Sequence, residues 1–344
     1  MGPTGDKVRV LQIHPTRRCN LRCLHCYSSS APEERDVFPI ALLRGAVTDA
    51  AAEGYTVAGF SGGEPILYKQ LSELLEHAHA CGLLTTVTSN GMLLNQERIE
   101  MLKGRADLLA ISLDGVPASH NRMRAQENAF EIMAARLGNI RNSGIPFGFI
   151  FTLTQQNLDE LEWVANFAYE QGARLLQIHP LEEVGRARDA MPGSRPDDTE
   201  CTHAYVEARR IEKTMEGKLA VQLDLIHRGL LLVHPERVFA DQPEQFDFNK
   251  PLAELVSPLV IEADGTVIPL GYGLARQYSL GNLLRESLYD LSITWRKSGY
   301  QKFRALCKAT FDEATLPHEM PYFNWYEAIG LRASEQLSSS ASVS

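Results

Sequence analysis

Three thiols fall within eight residues in Cys19-Asn20-Leu21-Arg22-Cys23-Leu24-His25-Cys26, a C-x3-C-x2-C spacing with Tyr27 next. A loop this tight cannot bridge its own cysteines comfortably, but it can turn three thiolates one way. Thiolates are the soft ligands that iron–sulfur clusters take. A four-iron cubane held by three protein thiolates keeps one iron open, and an open iron can bind a small molecule. Paired zinc ligands would need a second half, which the sequence does not supply.

Further polar segments follow at intervals. Ser61-Gly62-Gly63-Glu64-Pro65 joins two glycines, which let a backbone come close to a ligand, to a carboxylate that accepts from an ammonium group. Alone it reads as ordinary turn chemistry. Its place about 40 residues after the cysteine loop, at the next strand end, makes it a candidate site. Thr88-Ser89-Asn90-Gly91 and Ser112-Leu113-Asp114-Gly115 bring short Ser, Asn and Asp groups to strand ends, where they suit hydroxyl recognition and equally suit turns and caps. His14 and His179 fall at the ends of the first and sixth strands. They are candidates for a substrate or proton role, against the plainer reading of structural histidines. Tyr272, in Gly271-Tyr272-Gly273, is a candidate hydrogen donor or substrate contact, against a packed tyrosine.

These motifs together resemble the radical SAM (S-adenosylmethionine) superfamily over roughly residues 8 to 190, and more loosely to about 310. The resemblance implies that Cys19, Cys23 and Cys26 ligate one [4Fe–4S] cluster, that Tyr27 packs beside it, and that S-adenosylmethionine chelates the open iron. It implies methionine contacts from Gly62, Gly63, Glu64 and Pro65. Ribose or carboxylate contacts would come from Ser89, Asn90, Ser112, Asp114 and Arg124, and adenine-side contacts from Ile178 and His179, with a Gly185-Arg186-Ala187 turn following. One electron would then release a 5′-deoxyadenosyl radical that takes hydrogen from a C–H bond. A flavodoxin- or ferredoxin-type electron donor is implied as a partner.

The elements that must position these residues alternate. Helical apolar spacing ending in glycine, then an apolar strand, recurs at Gly54, Gly82, Gly104, Gly144 and Gly172. Each glycine suits the left-handed residue that closes a helix. Strands alternating with helices call for a parallel sheet with right-handed crossovers. The expected fold is α/β, a partial (β/α)6 TIM-type barrel with a smaller α+β C-terminal domain, and chemistry belongs at the C-terminal strand ends. Asn95 is expected to cap a helix, and Asn157 with Glu160 to form a capping-box-like pair.

The expected division is a barrel over 1–190, a polar linker over 191–200, a C-terminal domain over 201–335 and a disordered tail over 336–344. In the third part Val221–Ile226 reads as a strand, Val260–Pro269 as a hairpin around Asp264-Gly265, and about Ile293–Leu306 and Asn324–Ala333 as helices. This part resembles a worn SPASM or twitch extension. Leu270 stands after Pro269 where such extensions have a cysteine, and only Cys201 and Cys307 lie beyond the barrel. Two thiolates do not hold a cubane, so no auxiliary cluster is expected, and the extension reads as a lid over the radical site.

Composition bounds the rest. The 344 residues are 44% hydrophobic and 22% charged, so a packed core is expected. A net charge of −9 argues against nucleic acid as partner. No apolar run approaches the ~18 residues of a membrane span, and no signal-peptide core opens the chain, so a reducing, cytoplasmic setting is expected. The reading is an enzyme acting on a ribosomally made peptide, with a sugar or small metabolite as the alternative substrate and a non-catalytic iron–sulfur protein as the rival. The stretch before the cysteine loop is too short for a leader-binding domain, so leader recognition would need a separate protein or the C-terminal domain.

Overall fold

In a computed structural model, which describes residues 8–241 and 249–341 (side chains through 336), six strands lie side by side in chain order. They are β1 (Val10–Ile13), β2 (Val57–Phe60), β3 (Leu84–Ser89), β4 (Leu108–Ser112), β5 (Phe147–Leu153) and β6 (Leu175–Pro180), each parallel to the next. Between them run α1 (Ile40–Ala52), α2 (Leu71–Ala80), α3 (Gln96–Leu102), α4 (Pro117–Arg124), α5 (Ala129–Ser143) and α6 (Leu161–Glu170). Gly54, Gly82, Gly104, Gly144 and Gly172 all take positive φ, as their role in closing helices requires.

Side chains alternate along the strands. Leu11, Ile13, Leu109, Ile111, Leu176 and Ile178 are fully buried and share one core with helix residues such as Leu43, Val47, Leu74 and Leu75. The intervening residues Gln12, Thr86, Thr88, Thr152, Gln177 and His179 stay half-buried. The barrel therefore has an apolar helix-facing side and a polar, water-accessible inner side.

After β6 come α7 (Ala187–Ala190), α8 (Asp198–Thr214), β7 (Ala220–Leu223), β8 (Ile226–His227), α9 (Arg228–Val233) and α10 (Leu252–Leu255). The chain continues through β9 (Leu259–Ile261), β10 (Thr266–Pro269), β11 (Gly281–Asn282), α11 (Leu288–Ser298), α12 (Tyr300–Ala314), β12 (Tyr322–Phe323) and α13 (Trp325–Ala341). Residues 201–335 build onto both edges of the barrel sheet. β7 pairs parallel with β6, and β9 pairs parallel with β1 on the far side. The β9–β10 hairpin and β11 complete a ten-stranded sheet in the order β11-β10-β9-β1-β2-β3-β4-β5-β6-β7.

Several local expectations are corrected. Asn157 caps nothing. Its side chain accepts from the Thr154 N–H at 2.7 Å and donates to the Asp114 carbonyl at 3.0 Å, while Glu160 accepts from the Val116 N–H and the Ser119 hydroxyl. A full capping box instead forms between Asp197 and Glu200, so the last residues of the expected linker open α8. The helix expected over 293–306 is two helices. The chain turns at Gly299, where a Cβ would lie 2.3 Å from the Trp295 ring. The tail expected from 336 runs on as helix to Ala341, because each residue added to an anchored helix gains a backbone bond; residues 342–344 lie outside the described residues.

Candidate active site

The cysteine loop leaves the C-terminal end of β1 and is clamped from two sides. From the β2 end, the Gly63 and Glu64 N–H groups donate to the Thr16 and Arg18 carbonyls, both at 2.9 Å. A Cβ on Gly63 would lie 2.2 Å from the Arg18 carbonyl oxygen. The paired glycines thus let backbone approach the cysteine loop itself, the close approach that the sequence assigned to a ligand. From beyond β6, the Arg186 N–H donates to the Cys26 carbonyl at 2.9 Å, and its guanidinium donates to the carbonyls of Cys23, Ser29 and Ser30. A Cβ on Gly185 would lie 2.1 Å from the Tyr27 carbonyl oxygen.

Each sulfur has polar company. Cys19 accepts from the Leu21 N–H at 3.4 Å and from Asn90 Nδ2 at 3.9 Å. Cys23 accepts from Arg124 Nη1 at 3.7 Å, and Cys26 lies 3.5 Å from the Ser28 hydroxyl. Burial pushes the Cys19 thiol up to about 12, and a bound cation would act in the opposite direction. Among the described residues no three His, Cys, Asp or Glu side chains gather around one ion. A cubane, by contrast, takes each thiolate on a different iron.

Glu64 is fully buried and its carboxylate has three internal donors: the Ile66 N–H at 3.2 Å, the Ser89 hydroxyl at 2.9 Å and the Asn90 N–H at 2.9 Å. Burial, working against those bonds, lifts it to about 7. Its place is that of a strut between the β2 and β3 ends, and Asn90 passes the restraint on to Cys19 and to Asn20, 2.9 Å away.

Asp114, beyond the β4 end, is also fully buried. Burial alone would raise it, but Arg124, His25 and His120 bring it down to about 2. Arg124 Nε donates to its Oδ2 at 2.6 Å, and its own N–H donates to His120 Nδ1 at 3.2 Å. Ser112 sits at the same strand end, nearly buried. Pro65 opens a buried helical turn. The Ile178 side chain faces the core, so only its backbone is available to a ligand.

Two further groups stand at the mouth. His14, at the β1 end, stacks on Tyr272 with centroids 4.9 Å apart, and Tyr27 packs on both rings. Burial lowers His14 to about 3, so it is neutral. At the opposite edge His179 Nδ1 lies 3.2 Å from Asp224, just past β7, and Nε2 lies 3.6 Å from Glu182. Burial opposes its charge, but these carboxylates raise it to about 9. Sequence reasoning missed His25, Asp224 and Glu262. His25 was legible inside the cysteine motif. Asp224 and Glu262 required knowing that β7 and β9 flank the barrel; Glu262 holds the Tyr272 loop by accepting from the Gly273 N–H at 2.7 Å.

A family model described as the Radical SAM superfamily matches residues 13–168. Residues 13–168 form a radical SAM domain. It is 31% identical over 183 residues to the Fe-coproporphyrin III synthase of Methanosarcina barkeri, covering 53% of this chain and 46% of that protein. To the PqqA peptide cyclase of Ruegeria pomeroyi it is 30% identical over 261 residues, 74% of this chain and 65% of that one. The chain spans about half the length of the first of these relatives. The crystal structure of Streptococcus suis SuiB bound to its precursor peptide SuiA shares the fold, with a TM-score of 0.67 at 17% identity over 86% of this chain and 66% of that one.

The cofactors of this family are a [4Fe–4S] cluster and S-adenosylmethionine, and the residues present fit them. Three free thiols carry polar partners, and His14 Nδ1, His25 Nδ1 and Asp114 Oδ1 around them are buried with no hydrogen-bond partner among the described residues. Cys201 and Cys307 are buried in α8 and α12, and burial pushes both thiols up to about 12. No described helix is long and apolar enough to cross a membrane.

Proposed function

We propose that the chain is a radical SAM enzyme that removes hydrogen from a C–H bond of a ribosomally made peptide. When bound, the cluster on Cys19, Cys23 and Cys26 and S-adenosylmethionine at its open iron supply a 5′-deoxyadenosyl radical. The chain's own residues hold the cysteine loop rigid and line the path to it. The Gly62–Pro65 backbone, Ser112 and the main chain at Ile178 stand at strand ends, suited to contact S-adenosylmethionine. Tyr272 and Tyr27 wall off one side and limit water, and His179 presents a proton at the other.

The observation that carries the peptide reading is the inner barrel wall, whose half-buried Gln12, Thr86, Thr88, Thr152 and Gln177 offer amides and hydroxyls. Such groups match peptide amides. The β6–β7 rim carries Glu182 and Asp224 against one imidazolium, an unfavourable setting for the carboxylates of a tetrapyrrole. The similarity to a peptide cyclase supports the same class.

The test is formation of 5′-deoxyadenosine by anaerobically reconstituted protein with a strong one-electron reductant. C19A/C23A/C26A should form none, and persistence of the product in that variant rules the reading out. Pooled peptides should raise the yield above the uncoupled level while coproporphyrin leaves it unchanged; the opposite pattern would move the substrate to a tetrapyrrole.

A further inference from the structure

Arg124 stands where the family resemblance implied a contact to the carboxylate of S-adenosylmethionine, yet its geometry commits it elsewhere. Nε is on Asp114 at 2.6 Å and Nη1 is on the Cys23 sulfur at 3.7 Å. The residue is 8% exposed, and Asp114 is fully buried. A buried guanidinium whose orientation is fixed by a buried carboxylate cannot turn freely toward a ligand. Asp114 is held in turn by the α4 residue His120, which accepts from its N–H, and by Asn157, which donates to its carbonyl. The aim of Arg124 at Cys23 is therefore set by three elements: the β4 end, α4 and the loop after β5.

We propose that Arg124 is a positioning residue that sets the reduction potential of the cluster through its N–H bond to the Cys23 sulfur, with Asp114 fixing its aim. This rests on the reading that the three cysteines hold a [4Fe–4S] cluster. Among the described residues the other two sulfurs have only neutral partners, Asn90 with the Leu21 N–H at Cys19 and the Ser28 hydroxyl at Cys26. A donor at a cluster sulfur stabilises the electron-rich state, so it raises the potential at which the cluster takes one electron. Charge-assisted donors do this most strongly. Asp114 cancels the charge of Arg124 at longer range, which makes the bond itself, rather than net charge, the main influence on Cys23.

The experiment is an electron paramagnetic resonance titration of the full-length reconstituted protein against solution potential, with dithionite as the one-electron donor and no S-adenosylmethionine. Arg124→Met alone strands a buried carboxylate and can unfold the site. The informative variant is Arg124→Met with Asp114→Leu, which removes the ion pair together and leaves net charge unchanged. Its electron affinity should fall on the order of tenfold, a shift of about 59 mV to lower potential for a one-electron couple. Arg124→Lys, which keeps the charge without the fixed fork, should lie between.

Potentials equal to wild type at wild-type iron content would overturn the proposal. So would loss of iron from both variants, since Arg124 would then serve only to hold the loop. Absence of a cluster in the wild-type protein would instead defeat the functional reading itself.

Discussion

Tyr272 and His14 are 258 residues apart in sequence, yet their rings stack with planes 20° apart over the barrel mouth. His14 directly follows β1, and Tyr272 follows the β9–β10 hairpin that pairs with β1. The C-terminal region thus supplies part of the wall of the site and is joined to it through the sheet. Tyr272→Ala should destabilise the protein by roughly 1–3 kcal/mol through lost packing. Tyr272→Phe keeps the stack and should stay within about 0.5 kcal/mol of wild type in urea unfolding. If both variants lost stability equally, the ring contact would not be the source. If Tyr272→Phe kept its stability and its uncoupled 5′-deoxyadenosine yield but lost substrate turnover, the hydroxyl would have a chemical role.

Gly63 and Gly185 press on the cysteine loop from the β2 end and from beyond β6. A Cβ at either would lie within 2.2 Å of a loop carbonyl oxygen, and backbone cannot step aside as a side-chain tip can. Gly63→Ala and Gly185→Ala should each lower the iron retained after anaerobic reconstitution at least severalfold while the barrel stays folded by circular dichroism. Full iron loading in both would mean that the loop tolerates displacement.

Much of this was legible in the sequence because it is local. Glycines ending helices mark the five helix–strand junctions, and the C-x3-C-x2-C spacing marks the loop. The SGGEP segment was legible as a site element, but its purpose was not. Only the structure shows that Gly62 meets the Thr16 backbone and Gly63 the Arg18 backbone, and that Glu64 is tied to Ser89 and Asn90. The pairings of β7 with β6 and of β9 with β1 are long-range. No periodicity in the segments 220–223 or 259–261 says which barrel edge they join, so Asp224 and Glu262 could not be placed.

Glu64→Gln tests the strut. The amide oxygen can replace Oε1 for the Ile66 N–H and the Ser89 hydroxyl, but the NH2 group would face the Asn90 N–H, donor against donor. Leaving that buried N–H unsatisfied should cost about 1–3 kcal/mol. Because Asn90 also bonds Asn20 and Cys19, iron retention should fall with stability. A variant as stable as wild type by urea unfolding would show that the carboxylate bonds are dispensable.

His179 gives a pH dependence whose sign follows from its partners. An unfolded imidazole titrates at 6.5, and in the folded protein Asp224 and Glu182 raise His179 to about 9. Between those values the folded state binds more protons than the unfolded one. The stabilisation is therefore complete below 6.5 and is lost as pH rises through 9. The groups facing the ring are Asp224, itself held by Gln177 and Gln222, and Glu182. The side chain is 38% exposed, so salt should weaken the effect. His179→Gln removes the titrating group but leaves an amide that can donate to Asp224. The difference in Tm between wild type and this variant, followed from pH 6 to 10 at low salt, should favour wild type most at the acid end and shrink toward pH 10. Parallel curves across that range would mean that the ion pair at the β6–β7 rim does not form in solution, and that His179 offers no proton to the mouth of the barrel.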